Sequence, residues 1–274
     1  MTMLKSVVAS LLGTFIIHFS IILAGSIAGF VITSLPGNTP LIIWREVLKW
    51  QLDHKHHSPH VDKQFFSGLG HFEKEDNWKA IRDEFREFAR DNRIPDFGEF
   101  DLGEEPPYED MYNDWKVVFL KALGKDMPLM REHYFPKTYS LLDEMGDNVT
   151  TAMFSILEPN KVIQPHYGMF KSVVRYHLGI DVPCPNKSFI LFPHKNVLLR
   201  WENGKAIMFD DTYLHMASNN GCDNPRVVLF LDVKRPLKQP FAFIDSLILK
   251  LAPFHPTARK FMEEFSEKYI DTGI

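Results

Sequence analysis

The stretch from Thr151 to Val233 decides the fold: TAMFSIL (151–157), SVVRYHLGI (172–180), SFILF (188–192), VLLRW (197–201), KAIMF (205–209) and RVVLFLDV (226–233). These are short, β-rich apolar runs separated by turn residues, the pattern of an antiparallel sandwich or barrel. Upstream the character differs. Glu75 to Ala89 places Trp78, Ile81, Phe85 and Phe88 on one stripe, which predicts an amphipathic helix. Asp91 to Pro107, with Pro95, Gly98, Gly103, Pro106 and Pro107, reads as loop. Trp115 to Leu120 reads as a strand and Pro136 to Met145 as a short helix. The expected class is therefore α+β, mainly β, with helices first and a β-sandwich after.

The 274-residue chain is 45% hydrophobic and 24% charged, ordinary for a globular protein. Its net charge of −4 comes without any Lys/Arg block, which disfavours nucleic acid as a partner. Two cysteines, Cys184 and Cys222, form neither a disulfide framework nor a CxxC metal site; one bridge between them is open to them. Val7 to Thr33 is a run of 27 residues without Asp, Glu, Lys or Arg. About 20 apolar residues cross a bilayer, so this run is expected to be a transmembrane anchor. A cleaved signal peptide is the rival reading, with Lys5 as charged start and Ser26-Ile27-Ala28 as cleavage site. Gly25 and Gly29 form a small-xxx-small pair on which weak homodimerisation could rest.

Leu41 to Leu52 carries Leu41, Trp44, Leu48 and Leu52 at helical spacing, so this helix either lies on the bilayer or packs on the soluble domain. Arg45, Lys49, Lys55 and Lys63 follow the apolar run while Lys5 precedes it. By the positive-inside rule the bulk of the chain is then cytoplasmic. His54 to His60 holds four histidines without metal-ligand spacing and reads as a linker.

Two other histidines, His166 and His215, follow separate β-rich runs, and Arg226 opens the last one. Arg175 and His177, two apart on a strand, share a face. A lone histidine in a β core is ordinarily structural. Two imidazoles with an inward arginine match a non-haem iron site that takes a dicarboxylate.

Five motifs then carry a resemblance: MFSILEP (153–159), PHYG (165–168), RYHLGI (175–180), WENGKAIMFDDTYLH (201–215) and PRVVLFLDVKRP (225–236). Together they resemble the aspartyl/asparaginyl β-hydroxylase family of Fe(II)/2-oxoglutarate dioxygenases, which includes bacterial lipid A hydroxylases. The resemblance implies a double-stranded β-helix (jelly roll, cupin-like) with flanking helices. It implies that His166 and His215 are the catalytic metal ligands and that Ser155 and Arg226 bind the distal carboxylate of 2-oxoglutarate. Arg175 and His177 would hold its C1 carboxylate. Asp210 and Asp211 are expected in supporting or turn roles, and Trp201 in the core. Where the lipid A hydroxylases keep an acid two residues after the first histidine, this chain has Gly168, as the β-hydroxylases proper do.

The expected division is an anchor (1–34), a juxtamembrane helix and linker (35–64), a dioxygenase domain (65–250) and a helical tail (251–274). The implied activity is a membrane-anchored hydroxylase using Fe(II), 2-oxoglutarate and O2. The residues leave its substrate open between a lipid acyl chain and a protein Asp or Asn side chain. The competing class is a non-catalytic membrane-bound β-barrel binding module, which convergence of His166, His215 and Arg226 in one cavity would disfavour.

Overall fold

The computed structural model describes residues 39–52, 58–100, 109–168 and 170–251, with 254, 259–260 and 263–264. Val7–Thr33, residues 53–57 and most of 251–274 lie outside them, and with them the anchor, the Gly25/Gly29 pair and the tail. Among the described residues no helix is long and apolar enough to cross a membrane.

Among the described residues ten strands occur in chain order: β1 (Trp115–Ala122), β2 (Lys125–Asp126), β3 (Val149–Leu157), β4 (Val162–His166), β5 (Val173–Asp181), β6 (Phe189–Phe192), β7 (Val197–Arg200), β8 (Ala206–Phe209), β9 (His215–Ser218) and β10 (Arg226–Lys234). One sheet has the order β2-β1-β3-β10-β5-β8, the other β4-β9-β6-β7. The eight strands β3 to β10 thus alternate between two antiparallel sheets except for the β6–β7 hairpin, with first and last paired, which is jelly-roll connectivity. The expected β-sandwich is present. The strand β4 is an addition: Gln164 and Pro165 interrupt its apolar pattern, so VIQPH does not announce itself as a strand.

Alternation along β3 sorts its side chains between two layers. Phe154 points to the helices, its ring 4.8 Å from Phe85 and 5.2 Å from Phe135. Ser155 points into the sandwich. The helical layer is α2 (Glu75–Asp91), followed by α3 (Glu109–Tyr112), α4 (Pro128–His133) and α5 (Pro136–Met145). Ile81, Phe85 and Phe88 are the buried stripe of α2, each worth roughly 1.5–3 kcal/mol of burial. Trp78 is only half-buried, and it closes over Gly204, where a Cβ would meet its Nε1 at 2.5 Å. Gly204 has φ +71°, so glycine serves both the left-handed turn and the close approach.

Two helices flank the sandwich at its other end, α1 (Thr39–Leu52) and α6 (Phe241–Leu251). Leu48 is fully buried, and Trp44 Nε1 donates to Asp245 of α6 at 2.8 Å. Of the two readings of the 41–52 helix, packing on the domain is thus observed for Trp44 and Leu48. Cys184 and Cys222 are disulfide-bonded, with Cα atoms 5.9 Å apart, tying the β5–β6 loop to the β9–β10 loop.

Candidate active site between the two sheets

The two sheets enclose a cavity lined by Ser155, Arg175, His177, Arg226 and Phe230 from the larger sheet. The smaller sheet contributes Ile163, His166, Ile190, His215 and Ala217, and Trp115 and Trp201 complete the wall. All six predicted site residues therefore meet in one cavity, although they come from three strands of the larger sheet and two of the smaller.

His166 and His215 are register partners on β4 and β9, their ring centroids 4.2 Å apart. Each ring is held the same way. His166 Nδ1 donates to the carbonyl of Gln164 at 2.8 Å, and His215 Nδ1 to that of Tyr213 at 2.9 Å. A carbonyl can only accept, so Nδ1 carries the hydrogen and Nε2 keeps the lone pair, the state a metal ligand needs. Burial keeps both rings neutral. His215 is pushed down to about 3 by burial and by His166 beside it, and His166 is also lowered, chiefly by burial. Among the described residues no group of three His, Cys, Asp or Glu side chains converges on a metal position. The pair stands without a third side-chain ligand, in keeping with glycine at 168.

Gly168 is crowded. A Cβ there would lie 1.7 Å from Asp211 Oδ2, and its N–H donates to the Asp211 carbonyl at 2.8 Å. Asp211 is buried, its acidity weakened by that burial, and it pairs with Arg175 Nη2 at 3.0 Å. Arg175 also approaches Asp232, with Nε 3.6 Å from Oδ1. Its charge is thus largely met by protein carboxylates. Asp210 does the turn duty expected of it, accepting from the N–H and hydroxyl of Thr212, and its other oxygen binds Lys171 at 2.8 Å and Arg235 at 2.6 Å. Burial would raise its pKa, but Arg235 and Lys171 together hold it below the usual carboxylate value.

Arg226 is the opposite case. It is 2% exposed and no described carboxylate pairs with it. Its guanidinium stacks 4.2 Å over Trp201, Nη1 donates to the Ser155 carbonyl at 3.3 Å, and Nε has no partner. Desolvation alone pulls its pKa down to about 9. A cation this buried calls for an anion. Both ring nitrogens of His177 and the indole N–H of Trp201 are likewise buried and unpartnered, and burial, with Arg226 and Arg175 nearby, keeps His177 neutral. These orphaned groups share one cavity, so the residues present fit a dicarboxylate anion beside a metal.

Two wall residues escaped sequence reasoning. Trp115 Nε1 donates to Ser155 Oγ at 3.0 Å, orienting the hydroxyl. A tryptophan at the head of an apolar strand carries no signal for this, because the contact spans 40 residues. Trp201, expected in the core, is buried but lies 6.0 Å from His177 in a 15° stack and faces the cavity.

The family model for aspartyl/asparaginyl beta-hydroxylase matches residues 75–236. The chain is 32% identical over 228 residues to an ornithine lipid ester-linked acyl 2-hydroxylase of Rhizobium tropici, covering 83% of this chain and 78% of that protein. It is 36% identical over 130 residues to human aspartate beta-hydroxylase domain-containing protein 2, covering 45% of this chain and 34% of that one. Among solved structures, a Pseudomonas putida prolyl-4-hydroxylase is 13% identical with a TM-score of 0.41, over 61% of this chain and 90% of that one.

Proposed function

The chain belongs to the aspartyl/asparaginyl β-hydroxylase family, and from that premise we propose that it is a membrane-anchored Fe(II)/2-oxoglutarate hydroxylase acting on a lipid acyl chain. One observation carries the reading: two Nδ1-held histidines share a cavity with a buried arginine that no described carboxylate pairs. The acyl substrate is supported by the ornithine lipid hydroxylase, whose likeness extends over most of both chains. Gly168 supports a second reading, a peptidyl Asp or Asn, because it matches the β-hydroxylases proper.

His166 and His215 would hold Fe(II) through Nε2. Arg226, with the Ser155 hydroxyl, would bind the distal carboxylate of 2-oxoglutarate through directed N–H donors. His177 can donate one N–H toward the other carboxylate, next to Arg175. Bound together, the metal and cosubstrate supply the oxidising chemistry that turns a C–H into a C–OH at the expense of dioxygen. Trp115, Trp201 and Phe230 keep water from the cavity.

The 7–33 run would anchor the chain. The Cys184–Cys222 bond supports a catalytic domain on an oxidising side of the membrane, against the charge count that favoured the cytoplasm. The test is to supply purified full chain with Fe(II), 2-oxoglutarate and O2 plus an ester-linked acyl lipid or an acidic peptide. The reading expects succinate release together with an oxygen atom added to the acyl chain. Hydroxylated peptide in place of lipid would establish the second reading, and no succinate with either would overturn both.

A further inference from the structure

We propose that α1 and α6 form a docking surface that sits on an anionic lipid bilayer and brings the mouth of the site to the level of the lipids. The helix α6 reads FAFIDSLILKL, eight of eleven positions apolar, yet only Asp245 and Ile248 are buried. A helix apolar nearly all round belongs in a core or against lipid, and this one lies at the protein surface, with Phe243 44% exposed. The single acid does not oppose this. Asp245 points inward, where it accepts from Trp44 Nε1 and from the Ser172 hydroxyl. It pins α6 to α1 and to the sandwich.

Within one turn of that pin, α1 also shows apolar side chains to solvent. Trp44 and Leu48 face the domain, while Ile43 and Val47, one turn apart, are 46% and 37% exposed. Trp44 packs 6.4 Å from Phe241, so the two apolar surfaces adjoin. Lys238, three residues before α6, and Lys250 near its C-terminus are exposed, while Lys49 on α1 is paired with Glu46 at 3.2 Å. Cations at the rim of an apolar patch match an anionic lipid surface. The uncharged 27-residue run ends at Thr33, with five residues between it and the first residue of α1, Thr39. A bilayer occupied by that run is then within reach of this patch.

The same helix reaches the site. Arg45 Nη1 donates to the Gly168 carbonyl at 3.3 Å, and Lys49 Nζ lies 5.9 Å from the ring of Tyr167, which is 52% exposed. Gly168 and Tyr167 directly follow His166. A patch seated on lipid would therefore set the rim of the histidine pair against the acyl region. This consequence for substrate rests on the acyl-lipid reading, whereas the docking itself does not.

The experiment places a polarity-sensitive fluorophore at Phe243→Cys, or at Val47→Cys, in the full chain in vesicles containing about one-third anionic lipid. The native cysteines are bonded, so only the new thiol reacts. The expected result is a blue-shifted emission quenched by spin-labelled lipid more than about twofold beyond a label at Glu87→Cys on α2. Equal quenching at both sites would overturn the proposal. A blue shift without lipid quenching would assign the patch to a second copy or another protein, and would also overturn it. In a second arm, Ile43→Asp/Val47→Asp/Phe243→Asp is expected to lower hydroxylation of vesicle-borne acyl lipid at least about tenfold and to spare detergent-dispersed lipid. If no lipid is ever hydroxylated but the label is quenched, the substrate reading fails and the docking stands.

Discussion

The carboxylate of Asp211 fills the space that a side chain at Gly168 would need, with Oδ2 1.7 Å from where its Cβ would stand. The vacancy in the His-x-Asp pattern is thus a packed position. Gly168→Asp is expected to destabilise the fold by about 1–3 kcal/mol, as overpacking does, and to leave Co(II) affinity no tighter than in the wild type. Adding Asp211→Gly should recover most of the melting temperature. A single Gly168→Asp variant as stable as wild type would show that the site is looser than this.

Arg226 should reveal its missing partner twice. Arg226→Lys loses the planar fork, and 2-oxoglutarate binding is expected to weaken at least about tenfold, roughly 1.4 kcal/mol. Arg226→Met removes a buried charge without a counterion, and should raise the stability of the ligand-free protein by about 1–4 kcal/mol. Thermal melting with and without 2-oxoglutarate reads both effects. A Met variant that melts earlier than wild type without ligand would mean that the guanidinium is already satisfied.

Trp115 holds the Ser155 hydroxyl and would act on bound 2-oxoglutarate through it. Trp115→Phe and Ser155→Ala are each expected to raise the KM for 2-oxoglutarate about two- to fivefold, the scale of one neutral hydrogen bond. The double variant should be no worse than the worse single, because both break one chain of contacts. Additive losses would separate the two residues.

Burial raises the Asp232 pKa to about 6, with Arg175 opposing it, from an ordinary value of 3.8. Between those values the folded state binds more protons than the unfolded one, so Asp232 costs stability as pH rises through that window. The full cost, up to about 3 kcal/mol at about 1.4 kcal/mol per pH unit, is present above about pH 6. Asp232→Asn should therefore melt higher than wild type at pH 7, and the gap should close as pH falls toward 4. A gap that grows on acidification would contradict the assigned sign.

If the 7–33 run anchors the chain, the state of the Cys184–Cys222 pair would report which side of the membrane the domain faces. In intact cells quenched with acid, the pair is expected to resist maleimide until a reductant is added, since cytosolic thiols stay reduced. Immediate labelling of both cysteines would return the domain to the cytoplasmic side.

Local pattern determined much of this protein. The period of two along 173–181 sent Arg175 and His177 to the same face, and the stripe Ile81, Phe85 and Phe88 made the helix that covers Phe154. The short β-rich runs announced a sandwich, and five motifs in order marked the candidate site. Tertiary structure decided the rest. β4 became visible only through its pairing with β9, because Pro165 and Gln164 hide its alternation. Whether the carboxylates near Arg175 satisfy it, and whether any satisfies Arg226, depends on strand register. Register sets Asp232 opposite Arg175 and leaves Arg226 opposite Leu157. The contact that joins α1 to α6, Trp44 to Asp245, spans 201 residues. Sequence periodicity specifies which face a side chain takes, since that is set by backbone geometry within a few residues. Which groups meet across a cavity is set by non-local pairing, and that leaves no local trace.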